Sequence, residues 1–322
     1  MNDITPLRVG VVGTGALGAH HTRVFAGLPG VELSAVYDVN RERAEQVAGP
    51  YGARVVDSLD AVLERVDAAV VAVPTVEHFA VASRLLGAGR HVLVEKPITA
   101  TLTEAQDLVR LASERRVVLQ VGHVERFNPA SEALRRIGLA RFVEVHRLSP
   151  FPNRSLDIDV ILDLMIHDLD LLLALDRSAP VQIDAVGVPV LTDRVDIANV
   201  RIRFESGLIA NLTASRVSAE KIRKFRVFGS RLYASCDFLT RQAQIAKLVP
   251  GPSGAPEIRM EALGAPAGDP GSEPLRRQGE AFVTAIRAGG PAIVSGEDGV
   301  AVLRIAQGII DRMRGAGPDG LS

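Results

Sequence analysis

The stretch Leu7 to Ala26, LRVGVVGTGALGAHHTRVFA, constrains the fold more than any other part of the chain. An apolar run, Leu7 to Val12, reads as a buried strand. It ends at Gly13-Thr14-Gly15-Ala16-Leu17-Gly18, and an apolar helical pattern follows. Strand, glycine turn and helix in that order form a dinucleotide-binding fingerprint. Gly13 permits a tight turn out of the strand. Gly15 leaves room for a pyrophosphate to approach the backbone, and Gly18 lets the helix lie close to the strand. The N–H groups and the dipole at the helix start hold the phosphate charge. Gly13, Gly15, Ala16, Leu17 and Gly18 are the expected pyrophosphate contacts. Asp38 ends the next strand, Val31 to Tyr37, about 20 residues on, as the fingerprint requires. A carboxylate there accepts ribose hydroxyls and repels a 2′-phosphate, which favours NAD over NADP. Arg41 and Arg43 lie nearby and are assigned to the solvated face of the following helix.

Strands and helices alternate as far as Val121. Helices are expected over Arg41–Ala48, Leu59–Arg65 and His78–Leu86, with strands around Arg54–Val56 and over Ala68–Val73, His91–Val94 and Val117–Val121. Thr103 and Gln106 read as a capping box for a helix ending near Arg115. Such units imply a doubly wound parallel sheet with helices on both faces. The texture changes after Gly122. A helix Pro129–Ile137, a strand Phe142–Arg147, a loop with Pro150 and Pro152, and a long helix Asp159–Leu175 are expected. Antiparallel strands follow. Val195–Phe204 and Leu208–Ser215 flank the hairpin signal Glu205-Ser206-Gly207, and Lys224–Phe228 and Leu232–Asp237 come next. Pro250 to Pro274, rich in glycine and proline, reads as a long mobile surface excursion. Helices Glu273–Ala288 and Glu297–Arg312 close the chain. The expected organisation is a nucleotide-binding α/β domain over residues 1–122. An α+β domain with a mostly antiparallel open sheet covers 123–322.

A chain of 322 residues suits about two domains. The formal net charge of −1, with no long run of one sign, gives no support for nucleic-acid or anionic-membrane partners. One cysteine, Cys236, rules out an internal disulfide framework and fits a reducing compartment. The N-terminus lacks the pattern of a signal peptide, and no apolar run reaches the roughly 18 residues of a membrane span. The expected location is the cytoplasm.

Ligands of an open parallel sheet bind beyond the carboxyl ends of its strands. Besides Asp38, two such ends are informative. Val73-Pro74-Thr75 with His78 either contacts the cofactor or is an ordinary loop and helix start. Val94-Glu95-Lys96-Pro97 is the other. Strand alternation turns Glu95 and Lys96 to opposite sides and faces Lys96 toward the nicotinamide. The chain contains only Lys96, Lys221, Lys224 and Lys247, so a lysine at this strand end invites a chemical role. Burial and an oxidised nicotinamide would lower its pKa from near 10.4 toward neutrality. Val73, Pro74, Thr75, His78, Glu95 and Lys96 complete the expected cofactor contacts.

Farther along, Asp163 and His167 stand one helical turn apart in an apolar run. Imidazole suits general-base work, with Asp163 orienting it or stabilising its cation. A satisfied core pair is the competing reading. A zinc site would need a third clear His or Cys ligand, and none is adjacent, so no metal is expected. His20 and His21 read as polar helix-start residues, and His91 and His146 as structural. His123, Arg126 and Asn128 lie where the chain crosses into the second domain and are expected to border the substrate.

With these residues assembled, the chain resembles the Gfo/Idh/MocA oxidoreductases over nearly its whole length. Their Glu-Lys-Pro motif matches Glu95-Lys96-Pro97, and their helical Asp-x-x-x-His motif matches Asp163 and His167. The resemblance implies a Rossmann domain followed by an α/β domain whose open sheet often serves oligomer contacts, here as a dimer or tetramer. It also implies that Lys96 and His167 flank the reacting carbon, supported by Asp163. One departure is that Val160-Ile161-Leu162 stand where many members carry a Gly-Gly pair. The stretches Val121–Pro129, His146–Phe151 and Asp196–Ser218 resemble a branch of nucleotide-sugar dehydrogenases associated with lipid A synthesis. That branch implies oxidation of the C3 hydroxyl of UDP-N-acetylglucosamine. Arg126, Arg147, Arg154, Arg216, Lys221 and Arg223 are candidates for its diphosphate. The alternatives are oxidation of a free sugar or inositol, an NAD-sensing regulator, and an oligomerisation protein that binds NAD for stability.

Overall fold

The computed structural model describes residues 5–151, 158–251, 255–265 and 269–315. Residues 1–4, and with them part of the N-terminus read against a signal peptide, lie outside this set, as do Pro152 and Arg154. The chain divides into two compact units: Met1–Val124 with Glu273–Ala301, and Glu125–Ser272 with the residues from Val302 on.

In the first unit, β1 (Leu7–Val12), β2 (Val31–Tyr37), β3 (Ala68–Val71), β4 (His91–Val94) and β5 (Leu119–Val121) form a parallel sheet in the order β2-β1-β3-β4-β5. The order reverses at β1, so a ligand site is expected beyond the carboxyl ends of β1 and β3. All of β3, Ala68-Ala69-Val70-Val71, is buried, as a strand covered on both faces requires. The helices are α1 (Ala16–Ala26), α2 (Arg41–Ala48), α3 (Leu59–Leu63), α4 (Thr75–Gly87) and α5 (Leu102–Arg115). The expected strand at Arg54–Val56 is reduced to one bridge, Val36 to Val55. The capping box is Thr101 with Glu104 rather than Thr103 with Gln106. Thr101 is extended and its hydroxyl accepts from the Glu104 N–H, whereas Thr103 is already inside the helix. From the far end of the chain, α8 (Pro274–Ala288) adds Phe282 and Val283 to the core made by Val9, Val11, Val24 and Phe25.

Among the described residues the second unit holds eight strands: β6 (Ala140–Leu148), β7 (Pro180–Val188), β8 (Ile197–Phe204), β9 (Ile209–Ser215), β10 (Ile222–Gly229), β11 (Leu232–Asp237), β12 (Gln242–Pro250) and β13 (Pro256–Gly264). Their order is β13-β12-β11-β10-β6-β9-β8-β7. Only the β6–β9 pair is parallel, so the mostly antiparallel sheet expected from sequence is present. In β8, Ala198, Val200, Ile202 and Phe204 are buried while Asn199, Arg201 and Arg203 are exposed. The apolar face packs on α7 (Ile166–Leu175) and on the part of α9 (Gly296–Gly315) that carries Ile305 and Ile309. Among the described residues, no helix is long and apolar enough to cross a membrane.

Three expectations change here. The stretch read as a mobile excursion contributes β13, which pairs with β12 from Gln242–Gly264 to Pro250–Pro256. Its apolar side chains, such as Ile258 and Met260, are exposed, so no buried face imprints alternation on the sequence. Residues 252–254 and 266–268 of that stretch lie outside the described set. The helix expected at Pro129–Ile137 is a 3₁₀ turn, Pro129–Ser131, followed by the short α6 (Glu132–Arg135). The long helix from Asp159 begins as a π turn, Ile161–Met165, before continuing as α7.

Candidate active site

At the dinucleotide turn, Gly13 has φ +90°, and a Cβ there would lie 2.6 Å from the Ala72 carbonyl oxygen. A Cβ on Gly18 would lie 1.9 Å from the Gly13 carbonyl oxygen, so α1 can approach β1 only with glycine at this position. A Cβ on Gly15 meets nothing within 4 Å. Gly15 caps α1 without a side-chain hydrogen bond. The N–H groups of Ala16, Leu17 and Gly18 stand at this helix start without intrahelical acceptors. Open space beside a helix start fits a pyrophosphate.

Asp38 is buried beside this turn. Its Oδ2 accepts from the Thr14 N–H at 2.7 Å and the Thr14 hydroxyl at 2.9 Å, and its Oδ1 from the Asn40 N–H at 2.8 Å. Arg43, assigned from sequence to the solvated face, instead spans both carboxylate oxygens at 2.7 and 2.9 Å. Arg41 does lie on the surface, paired with Glu45 and Asp57. Burial pushes the Asp38 carboxyl up, but Arg43, Asn40 and Thr14 outweigh it and hold the pKa at about 2. This folded value lies below the ordinary one near 4. The stabilisation is therefore present above pH 4 and lost as pH falls through 2. It amounts to about 2 kcal/mol. Urea denaturation of Asp38→Asn beside the wild type should show a stability gap that is widest near neutrality and closes between pH 4 and 2.

The loops after β3 and β4 are tied together by His78. Its Nδ1 lies 2.8 Å from the Pro97 carbonyl oxygen and its Nε2 3.0 Å from that of Val73. Burial pushes its pKa down, against the pull of the two carbonyls. The ring lies between the two carbonyls and its N–H donates to one of them, so His78 braces the loops. Pro74 caps α4 and Thr75 opens it, where the fingerprint logic wants a cofactor-facing loop. Glu95 is buried and its carboxylate bonds to His21. His21 is buried too, not the polar helix-start residue expected from sequence. Lys96 follows at the strand end, half-buried. His123 is buried just beyond β5.

In the second unit, Asp163 lies in the π turn and His167 in the first turn of α7. A π turn widens the helix, and such turns recur at functional sites. Asp163 is 9% exposed and His167 is partly exposed, so the pair lies at the edge of the core. Two further carboxylates on α7, Asp168 and Asp170, were missed in the sequence, although they interrupt the same apolar run. Asp168 accepts two hydrogen bonds from Arg147, at 2.8 and 2.7 Å, and Arg147 also donates to Glu125 at 3.1 Å. All three are buried. Burial works against the Arg147 cation, but Asp168 and Glu125 more than compensate and raise its pKa.

This network changes the expected substrate contacts. Asn128 donates to Glu125 and to the Phe238 carbonyl, and its side-chain oxygen accepts from the Ala130 N–H. It is a structural cap. Arg126 spans Asp170 at 2.8 and 3.0 Å. Arg216 is buried against Asp196. Arg126, Arg147 and Arg216 are thus committed to carboxylates inside the unit. Lys221 and Arg223 line a surface groove of about 470 Å3 with His146 and Lys224.

Residues 7–123 match the oxidoreductase family with an NAD-binding Rossmann fold, and residues 134–234 match the GFO/IDH/MocA C-terminal domain. The chain is 43% identical over 306 residues to the UDP-N-acetylglucosamine 3-dehydrogenase of Acidithiobacillus ferrooxidans, covering 93% of this chain and 95% of that protein. A solved structure of that enzyme, GnnA, superposes with a TM-score of 0.89 at 42% identity, over 96% of this chain and 98% of that one. An inositol 2-dehydrogenase of Rhizobium meliloti is 26% identical over 94% of this chain and 96% of its own length. The chain therefore belongs to the Gfo/Idh/MocA family of NAD-binding oxidoreductases.

Proposed function

We propose that this oxidoreductase oxidises the C3 hydroxyl of a nucleotide sugar, UDP-N-acetylglucosamine, with NAD. The observation that carries this reading is the 43% identity, over nearly the whole of both chains, to an enzyme named for that activity. In this reading the first unit binds the cofactor and the second unit the sugar. Bound NAD supplies the hydride acceptor. His167 takes the proton of the substrate hydroxyl on its imidazole. Lys96 Nζ hydrogen-bonds the same oxygen and stabilises the negative charge that develops on it. Asp163 orients the imidazole and stabilises its cation. Lys221 and Arg223 are the diphosphate candidates that line the surface groove, although Arg223 also pairs with Glu125; Arg126, Arg147 and Arg216 are held by carboxylates inside the unit. The exposed face of the eight-stranded sheet serves a homo-oligomer contact. The lone, buried Cys236 supports a reducing compartment, the cytoplasm.

The likeness to an inositol 2-dehydrogenase supports a second reading, oxidation of a free cyclitol or sugar. One assay separates them. NADH absorbance is followed with UDP-N-acetylglucosamine, free N-acetylglucosamine or inositol, and an aminotransferase draws off the ketone. A rise confined to the nucleotide sugar is the expected result. A rise with the free compounds alone would replace this reading with the second.

A further inference from the structure

Helix α1 does more than offer its start to a pyrophosphate. Three residues beyond Gly18 it carries His21, whose Nε2 donates to Glu95 Oε1 at 2.7 Å. His21 is 1% exposed and Glu95 5%. The second carboxylate oxygen of Glu95 accepts the backbone N–H of Lys96 at 3.2 Å. Gly122, after β5, makes room for this carboxylate: a Cβ there would lie 2.7 Å from Glu95 Oε2. On the next residue, the Pro97 carbonyl is held by His78. The turn that carries Lys96 is thus fixed on both sides of the lysine.

A buried ionised carboxylate is costly unless it is fully hydrogen-bonded. Glu95 meets that condition through one side chain and one backbone group, and the two belong to different parts of the sheet's carboxyl edge. The side chain comes from the helix at the phosphate turn. The backbone group belongs to the lysine.

We propose that His21 and Glu95 are a positioning pair for Lys96, which tie the helix of the phosphate turn to the turn that presents the reacting amine. The proposal rests on the reading of Lys96 as that amine. A pair that served only stability would leave the lysine's own chemistry unchanged once the protein had folded.

The scarcity of lysine makes the test direct. The full chain is labelled with acetic anhydride in trace amounts, with and without NADH, and each lysine is quantified by mass spectrometry. Lys221, Lys224 and Lys247 serve as internal references. The variants are His21→Ala, His21→Gln and Glu95→Gln. In Glu95→Gln the amine loses a neighbouring stabilising charge, and in His21→Ala the carboxylate that holds the Lys96 turn loses its donor, so the turn that presents the amine loosens. Labelling of Lys96 should then rise about threefold or more in Glu95→Gln and His21→Ala. His21→Gln, whose amide can still donate, should fall between these and the wild type. The references should not move. With the nucleotide sugar, kcat should fall by roughly ten- to a hundredfold while KM changes little. Wild-type labelling of Lys96 in every variant that binds NADH would overturn the proposal. An inactive wild type would instead count against the substrate reading, and the labelling would still decide the positioning role. If His21→Ala fails to fold, His21→Gln and Glu95→Gln decide it.

Discussion

Lys96→Met should abolish turnover and leave NADH binding nearly intact. Methionine keeps much of the length and apolar stem of lysine but removes the donor and the charge. Two contributions are lost together: the hydrogen bond to the reacting oxygen and the stabilisation of its developing charge. A fall in kcat of about a thousandfold is expected, in the range of a lost general acid–base or oxyanion partner. Lys96→Arg should not restore it, because a planar guanidinium cannot occupy the place of a compact ammonium. Turnover is read at the NADH band and cofactor affinity by NADH fluorescence titration. Undiminished turnover in Lys96→Met would remove Lys96 from the chemistry.

The largest effect on stability is expected at Arg147. Asp168 and Glu125 have side chains only 4% and 6% exposed, and Arg147 bonds both. In Arg147→Met these carboxylates remain buried without their main cation. Breaking a buried ion pair in this way costs about 3–5 kcal/mol. The urea midpoint should drop accordingly. The loss should shrink in acid, because buried carboxylates that have lost a cation take up protons more readily. Arg147→Met with Asp168→Asn should recover part of the loss, since Glu125 keeps Arg223 and Asn128. A midpoint unchanged from the wild type would show that the network contributes no net stability.

The sequence was most legible where backbone demands glycine or where burial demands an apolar run. Gly13 and Gly18 are fixed by contacts that no Cβ survives, and β3 is apolar because both its faces are covered. Strand β13 was illegible because its side chains stand largely in solvent. The candidate site was legible one residue at a time: Lys96 by its rarity, Asp163 and His167 by their apolar surroundings. Their partners were not. That Glu95 turns inward to His21, or that Arg126 and Arg147 are consumed by Asp170 and Asp168, depends on which side chains meet across separate elements. Linear spacing carries no record of those encounters. An arginine in a loop reads alike whether it awaits a phosphate or locks a carboxylate.

The placement of α8 has a consequence for the order in which the molecule can be made. Phe282 and Val283 complete the core that Val9, Val11 and Phe25 begin. A ribosome emits the glycine turn and all five parallel strands first, then every strand of the other unit, and only afterwards α8. Domains that are contiguous in sequence can fold in turn as they emerge. Here the earliest-made unit keeps an uncovered apolar face until α8 appears. A nascent fragment ending at Val124 therefore carries the complete phosphate turn on an incomplete core, and it is the stage of synthesis at which a chaperone has most to cover.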